Sequence, residues 1–107
     1  MALASDLDMF ILDAVQDDFE DLSAIIRAVD MWCFASPQTY TQEDIIKSIE
    51  KLVKNGQLQV YEFQAGCLED VLEPSLDKTC LREYWYKPTE QGRELWQNWN
   101  APSFPNE

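Results

Sequence analysis

Thr41-Gln42-Glu43-Asp44-Ile45-Ile46-Lys47-Ser48-Ile49-Glu50-Lys51-Leu52-Val53-Lys54-Asn55-Gly56-Gln57-Leu58-Gln59-Val60-Tyr61 holds a helix start, a helix, a stop and a strand in one run. Thr41 is a good N-cap. Asp44, three residues on, can return the hydrogen bond of a capping box, and Tyr40 is placed to staple onto Ile45. Ile45, Ile46, Ile49, Leu52 and Val53 recur at helical spacing and form the face expected to be buried. Gln42, Glu43, Lys47, Ser48, Glu50, Lys51 and Lys54 fall on the outward side. Asn55-Gly56 stops the helix, because Gly56 can take the left-handed conformation without a Cβ penalty. Period-2 alternation then sends Leu58 and Val60 one way and Gln59, Tyr61 and Phe63 the other, as in a strand over 58–63.

Upstream, Leu7, Phe10, Ile11 and Val15 give one apolar face. Ser5 is the candidate cap, with Asp8 as its return partner, for a helix over 5–16. Asp17 and Asp18 break the pattern, and Asp18 can cap a helix over 19–32. Its stripe is Leu22, Ile25, Ile26 and Val29, extended by Phe19 and Trp32. Residues 34–40, with Ser36 and Pro37, read as a loop. Downstream, Tyr84-Trp85-Tyr86 centres a second strand over 81–87 that would pair with the first as a ribbon. Pro88 ends it, and Thr89 caps a final helix over 89–99, stopped by Ala101-Pro102. Gly92 within that helix costs about 1 kcal/mol against alanine, so a close backbone approach is its expected reason. The expected core is Phe10, Ile11, Leu22, Ile25, Ile26, Val29, Ile45, Ile49, Leu52, Val53, Leu58, Val60 and Leu95.

The order is helix, helix, helix, strand, long connection, strand, helix. This resembles a winged helix: an α+β domain with a three-helix core, a two-stranded antiparallel wing and a C-terminal helix. Two stretches carry the likeness. Residues 45–58, a helix running through Leu52 to Gly56 and then Leu58, resemble the recognition helix and first wing strand of MarR-like and PadR-like regulators. Tyr86-Lys87-Pro88-Thr89-Glu90-Gln91-Gly92-Arg93 is similar to the close of that domain, with Pro88 where those families usually carry leucine. The resemblance spans roughly residues 6–100. It implies a DNA-binding option through the third helix, and a homodimer option through the terminal helices at 5–15 and 90–99.

Charge argues against the first option. The 107 residues carry 20 acidic and 8 basic side chains and no histidine, a net charge of −12. Such a surface repels phosphate backbones and lipid headgroups and favours a basic protein partner. Lys47, Lys51 and Lys54 would form the DNA footprint, but Glu43, Asp44 and Glu50 cancel them and the helix has no arginine to read guanine. The connection at 64–80 forms a long acidic wing insert, with Glu69, Asp70, Glu73 and Asp77 against Lys78. Within it Leu68, Val71 and Leu72 are helically spaced, which predicts a short extra helix that caps the core or forms a docking patch. With Trp85, Trp96 and Trp99 they make up the candidate interaction surface.

Catalysis finds little support. The usual general base, histidine, is missing. Gly56, Gly66 and Gly92 form no phosphate-cradling loop. Asp17, Asp18, Glu20 and Asp21 lack the calcium-loop pattern and its central glycine. Cys33, Cys67 and Cys80 have neither metal-site spacing nor an activating partner, and read as reduced thiols of a cytoplasmic protein. There is no secretory leader pattern and no apolar run of membrane-spanning length. The sequence therefore predicts one domain that is no enzyme, needs no cofactor or metal, and binds a protein or a second copy of itself. A DNA-binding regulator is the alternative.

Overall fold

A computed structural model describes residues 6–17, 19–32 and 39–99. The elements run α1 (Asp6–Ala14), β1 (Glu20–Asp21), α2 (Leu22–Trp32), α3 (Gln42–Lys54), β2 (Leu58–Gln64), β3 (Cys67–Asp70), α4 (Lys78–Leu81), β4 (Trp85–Pro88) and α5 (Glu90–Gln97). The fold is α+β: helices packed on one face of a four-stranded antiparallel sheet of order β1-β4-β2-β3.

α3 has the ends its sequence dictates. The Thr41 hydroxyl accepts from the Asp44 amide at 3.1 Å, and the Asp44 carboxylate accepts from the Thr41 amide at 3.0 Å. Gly56, at φ +74°, turns the chain into β2. β2 pairs with β4 from Leu58↔Pro88 to Tyr61↔Trp85, as the ribbon requires.

Three elements differ from expectation. The ribbon is the middle of a wider sheet. β1 flanks it through Glu20↔Tyr86 and Asp21↔Trp85, so α2 begins at Leu22 rather than near Phe19. Strand pairing takes the residues that a local pattern assigns to the helix, and the Asp21 carboxylate accepts from the Ala24 amide at 3.0 Å, capping α2 in place. The expected cap, Asp18, lies outside the described residues. So do Ser5, Cys33, the 34–38 part of the loop and the Ala101-Pro102 stop.

The second difference is β3. Leu68 lies in a strand, not in a helix, and Val71 and Leu72 follow it as irregular chain. Ala65 (φ +51°) and Gly66 (φ +83°) supply the two left-handed residues of a tight hairpin turn, after which Gln64↔Cys67 and Phe63↔Leu68 pair. Three apolar residues at helical spacing are too few to outweigh a hairpin. Third, residues 78–81 form the short helix α4, and the second ribbon strand begins only at Trp85. Asp77 caps α4 by accepting from the Thr79 amide at 2.8 Å.

The core lies between the helices and the inner sheet face. Phe10, Ile11, Leu12, Val15, Ile25, Val29, Ile49, Leu52 and Tyr86 are fully enclosed. Ile26, Val53 and Leu95, expected inside, are half-buried at its margin, while Met9, Leu12, Ile46, Leu81 and Tyr84 join it. Tyr86 is tolerated there because its hydroxyl donates to the Leu81 carbonyl at 2.5 Å. Burial pushes that phenol well above the usual tyrosine range.

Gly92 has the close approach its position calls for. The Gln57 carbonyl lies where an alanine Cβ would sit, at 2.1 Å, and Leu12 closes the other side at 3.2 Å. Thr89 fixes the contact: its amide donates to the Gln57 carbonyl at 3.2 Å, and its hydroxyl donates to the Gly56 carbonyl at 2.6 Å while accepting from the Gly92 amide at 3.1 Å.

Candidate functional site

The DNA-binding alternative would use the outward side of α3. Ser48 is not outward. It sits three residues after Ile45 and four before Leu52, within the apolar stripe, and is buried against α1. Its hydroxyl donates to the Asp8 carboxylate. Lys51 approaches the other oxygen of that carboxylate at 2.6 Å. Asp8 is 1% exposed, so this ammonium is its counter-charge in a nearly dry setting. Asp8, read from sequence as a local cap partner of Ser5, ties α1 to α3.

The remaining charges on α3 are also largely matched. Lys54 pairs with Glu50 at 3.1 Å. Glu43 pairs with Lys78 of α4 at 3.0 Å, a hydrogen bond that holds the Glu43 carboxyl below its usual range. The Asp44 carboxyl is lowered by its bonds from Thr41, backbone amide first. Lys47 is exposed. It forms no ion pair within 4 Å among the described residues, though it lies near enough to Glu43 and Asp44 to favour their charged forms. A cavity of about 550 Å³ opens between α1 and α3, lined by Asp6, Asp8, Tyr40, Asp44, Lys47 and Lys51 among others. Its carboxylates outnumber its ammonium groups, a balance that disfavours a phosphate.

Of the candidate interaction residues, the tryptophans divide. Trp96 donates its indole N–H to Asp13 at 2.9 Å, and Trp32 donates to the same carboxylate at 3.2 Å. Trp99 meets Phe10 and Trp32 edge-on, at 5.8 and 5.3 Å between ring centres, while Phe10 and Trp32 stack at 5.2 Å. Trp96 and Trp99 are therefore engaged in joining α5 to α1 and α2. Val71 is half-buried against the core, and Leu72 is 90% exposed.

Trp85 and Leu68 lie elsewhere, on the outer face of the sheet. Register puts Asp21, Trp85, Tyr61 and Asp70 in one row across all four strands, with Phe63 and Leu68 in the next row and Gln59 and Lys87 on the other side. Phe63 lies 6.5 Å from Trp85, and Phe19 meets Tyr61 edge-on at 4.6 Å. The Lys87 ammonium sits over the Phe19 ring at 4.9 Å. The Tyr61 phenol is raised above its usual range, first by burial and then by the Asp70 charge. No helix among the described residues covers this face. Phe63 is 58% exposed. Sequence reasoning placed Tyr61 and Phe63 on one side of their strand but left them out of the candidate surface. The alternation that buries Leu58 and Val60 was the signal.

Among the described residues no group of three His, Cys, Asp or Glu side chains is placed to hold a metal ion, and no helix is long and apolar enough to cross a membrane. Cys67 is exposed, Cys80 is half-buried, and both are free thiols. In comparisons with known protein families, curated proteins and solved structures, no family model, no protein and no structure matched this chain.

Proposed function

We propose that this chain is a winged-helix module that binds another protein rather than duplex DNA. The frame fits that reading. α3 runs directly into a hairpin, β2–β3, and the short β1 between α1 and α2 joins the sheet beside β4. The observation that carries the functional part is the state of the α3 lysines. Lys51 is committed to the buried Asp8 and Lys54 to Glu50, and of the three only Lys47 lacks a close ion-pair partner among the described residues. The hairpin that would flank the DNA adds Glu62, Glu69 and Asp70. Non-specific duplex affinity grows with the number of phosphates neutralised, and one lysine among carboxylates neutralises too few. The free thiols of Cys67 and Cys80 support a reducing, cytoplasmic setting.

Fluorescence anisotropy with a labelled random-sequence duplex tests this. At about 50 mM salt, where electrostatic affinity is strong, no binding is expected. Micromolar binding that weakens with salt and vanishes in a Lys47→Glu, Lys54→Glu variant would replace the module reading with that of a DNA-binding regulator. Lys51 is left intact in that variant because its charge also supports the fold.

A further inference from the structure

The outer sheet face combines three properties that point to the chemistry of its occupant. It is aromatic, through the exposed Phe63 and the half-buried Tyr61 and Trp85. It ends at an open edge, because β3 is the last strand in the order β1-β4-β2-β3 and its Cys67, Glu69 and Asp70 are exposed. And the sheet is acidic: its strands carry Glu20, Asp21, Glu62, Glu69 and Asp70 against Lys87 alone. We propose that this face and the β3 edge dock an extended, arginine- or lysine-bearing segment of a partner protein, which adds as a strand beside β3. The proposal rests on the protein-binding reading above and names its surface and partner chemistry.

Charge selects the occupant. Glu69 and Asp70 sit side by side on the edge, so a second copy pairing there would bring carboxylates together, a device that blocks edge-to-edge self-association. The same residues attract a basic strand. An added strand places alternate side chains over the two faces. On the outer face its residues would meet Leu68, beside Phe63, and Asp70, beside Tyr61, which suits an apolar group followed by a cation. Between them, on the other face, Glu69 pairs across to Glu62, and this carboxylate pair takes a second cation. The surface already shows the chemistry, since Lys87 rests over Phe19 at one end of it. Lys87 is an internal copy of the contact that Phe63 would offer to a partner's arginine.

The test uses the full chain, labelled with nitrogen-15, and a short acetylated peptide of alternating arginine and valine. A peptide of alternating glutamate and valine is the control. Amide shifts are expected in β3 and at its β2 neighbours Tyr61 and Phe63, with the arginine peptide only. Glu69→Lys with Asp70→Lys, both exposed and outside the core, should weaken binding by about tenfold or more, and Phe63→Ala, also exposed, should weaken it independently. Lys47→Ala should change nothing. Shifts confined to α3 or α5, equal binding of the control, unchanged affinity in the charge-reversed variant, or no shifts at millimolar peptide would each overturn the proposal. So would concentration-dependent shifts of the same residues without peptide together with a dimer in sedimentation, which would identify a second copy as the occupant. Peptide failure with a negative duplex assay discards this surface and keeps the protein-binding reading. Peptide failure with duplex binding discards both.

Discussion

Lys47 and Lys51 stand one helical turn apart on α3, and the fold treats them differently. Lys51 faces a carboxylate that has left water, while Lys47 faces solvent. Removing one member of a buried ion pair leaves the other uncompensated, and this penalty usually outweighs the worth of the pair itself. Lys51→Met should therefore cost about 1–3 kcal/mol, less than for a fully enclosed pair because the Lys51 side chain is 43% exposed. Lys47→Met should stay within about 0.5 kcal/mol. Urea midpoints of the two variants check this, and coincident midpoints would show that Asp8 does not depend on its ammonium partner. Little of this was legible beforehand. Asp8 and Lys51 are far apart in sequence, and near Ser5 an aspartate has a sufficient local explanation as a cap partner. Ser48, expected on the outward side, had a signal for the opposite placement, because its position falls inside the stripe of Ile45, Ile49 and Leu52.

Elements whose ends are built from local hydrogen bonds could be read from sequence. α3 and α5 both start on a threonine whose hydroxyl accepts an amide three residues on, and such signals need no knowledge of the fold. β1 could not be read, since two residues carry no periodicity and exist as a strand only because β4 lies beside them. β3 was hidden by its turn: Ala65-Gly66 is not the Asn-Gly or Asp-Gly pair that marks a hairpin, yet it takes the same backbone. α5 gives the element-scale prediction. Alanine is the better helix former, so Gly92→Ala would gain about 1 kcal/mol on an isolated exposed helix. Here the added methyl collides with the Gln57 backbone, which Thr89 holds in place. The variant should instead be destabilised, by about 1–3 kcal/mol, through overpacking. Calorimetry decides the sign, and a raised Tm would mean that the α3–β2 turn yields freely.

At the scale of the whole molecule, the same acidity that shapes binding works against compaction. A net charge of −12 on 107 residues repels itself across a small surface, and the few ion pairs seen offset it only locally. Screening should therefore help: Tm should rise between about 10 mM and about 150 mM sodium chloride, as the Debye length falls from roughly 30 Å to 8 Å. A Tm that falls over this range would mean that the three ion pairs outweigh the repulsion. Composition made this property legible from the start, whereas the packing of the helices on one another was not. The contact that shows why is Asp13. Its carboxylate receives one indole from α2 and another from α5, 83 residues further along the chain. β1 likewise finds its partner only in β4. On a ribosome β4 and α5 are made after α1, α2, α3 and the β2–β3 hairpin. Until Trp96 has emerged, α1 holds a carboxylate and an apolar face whose complements do not yet exist, and β1 has no strand to join. The nascent chain can thus form its first helices before it can close this core, which waits on β4 and α5.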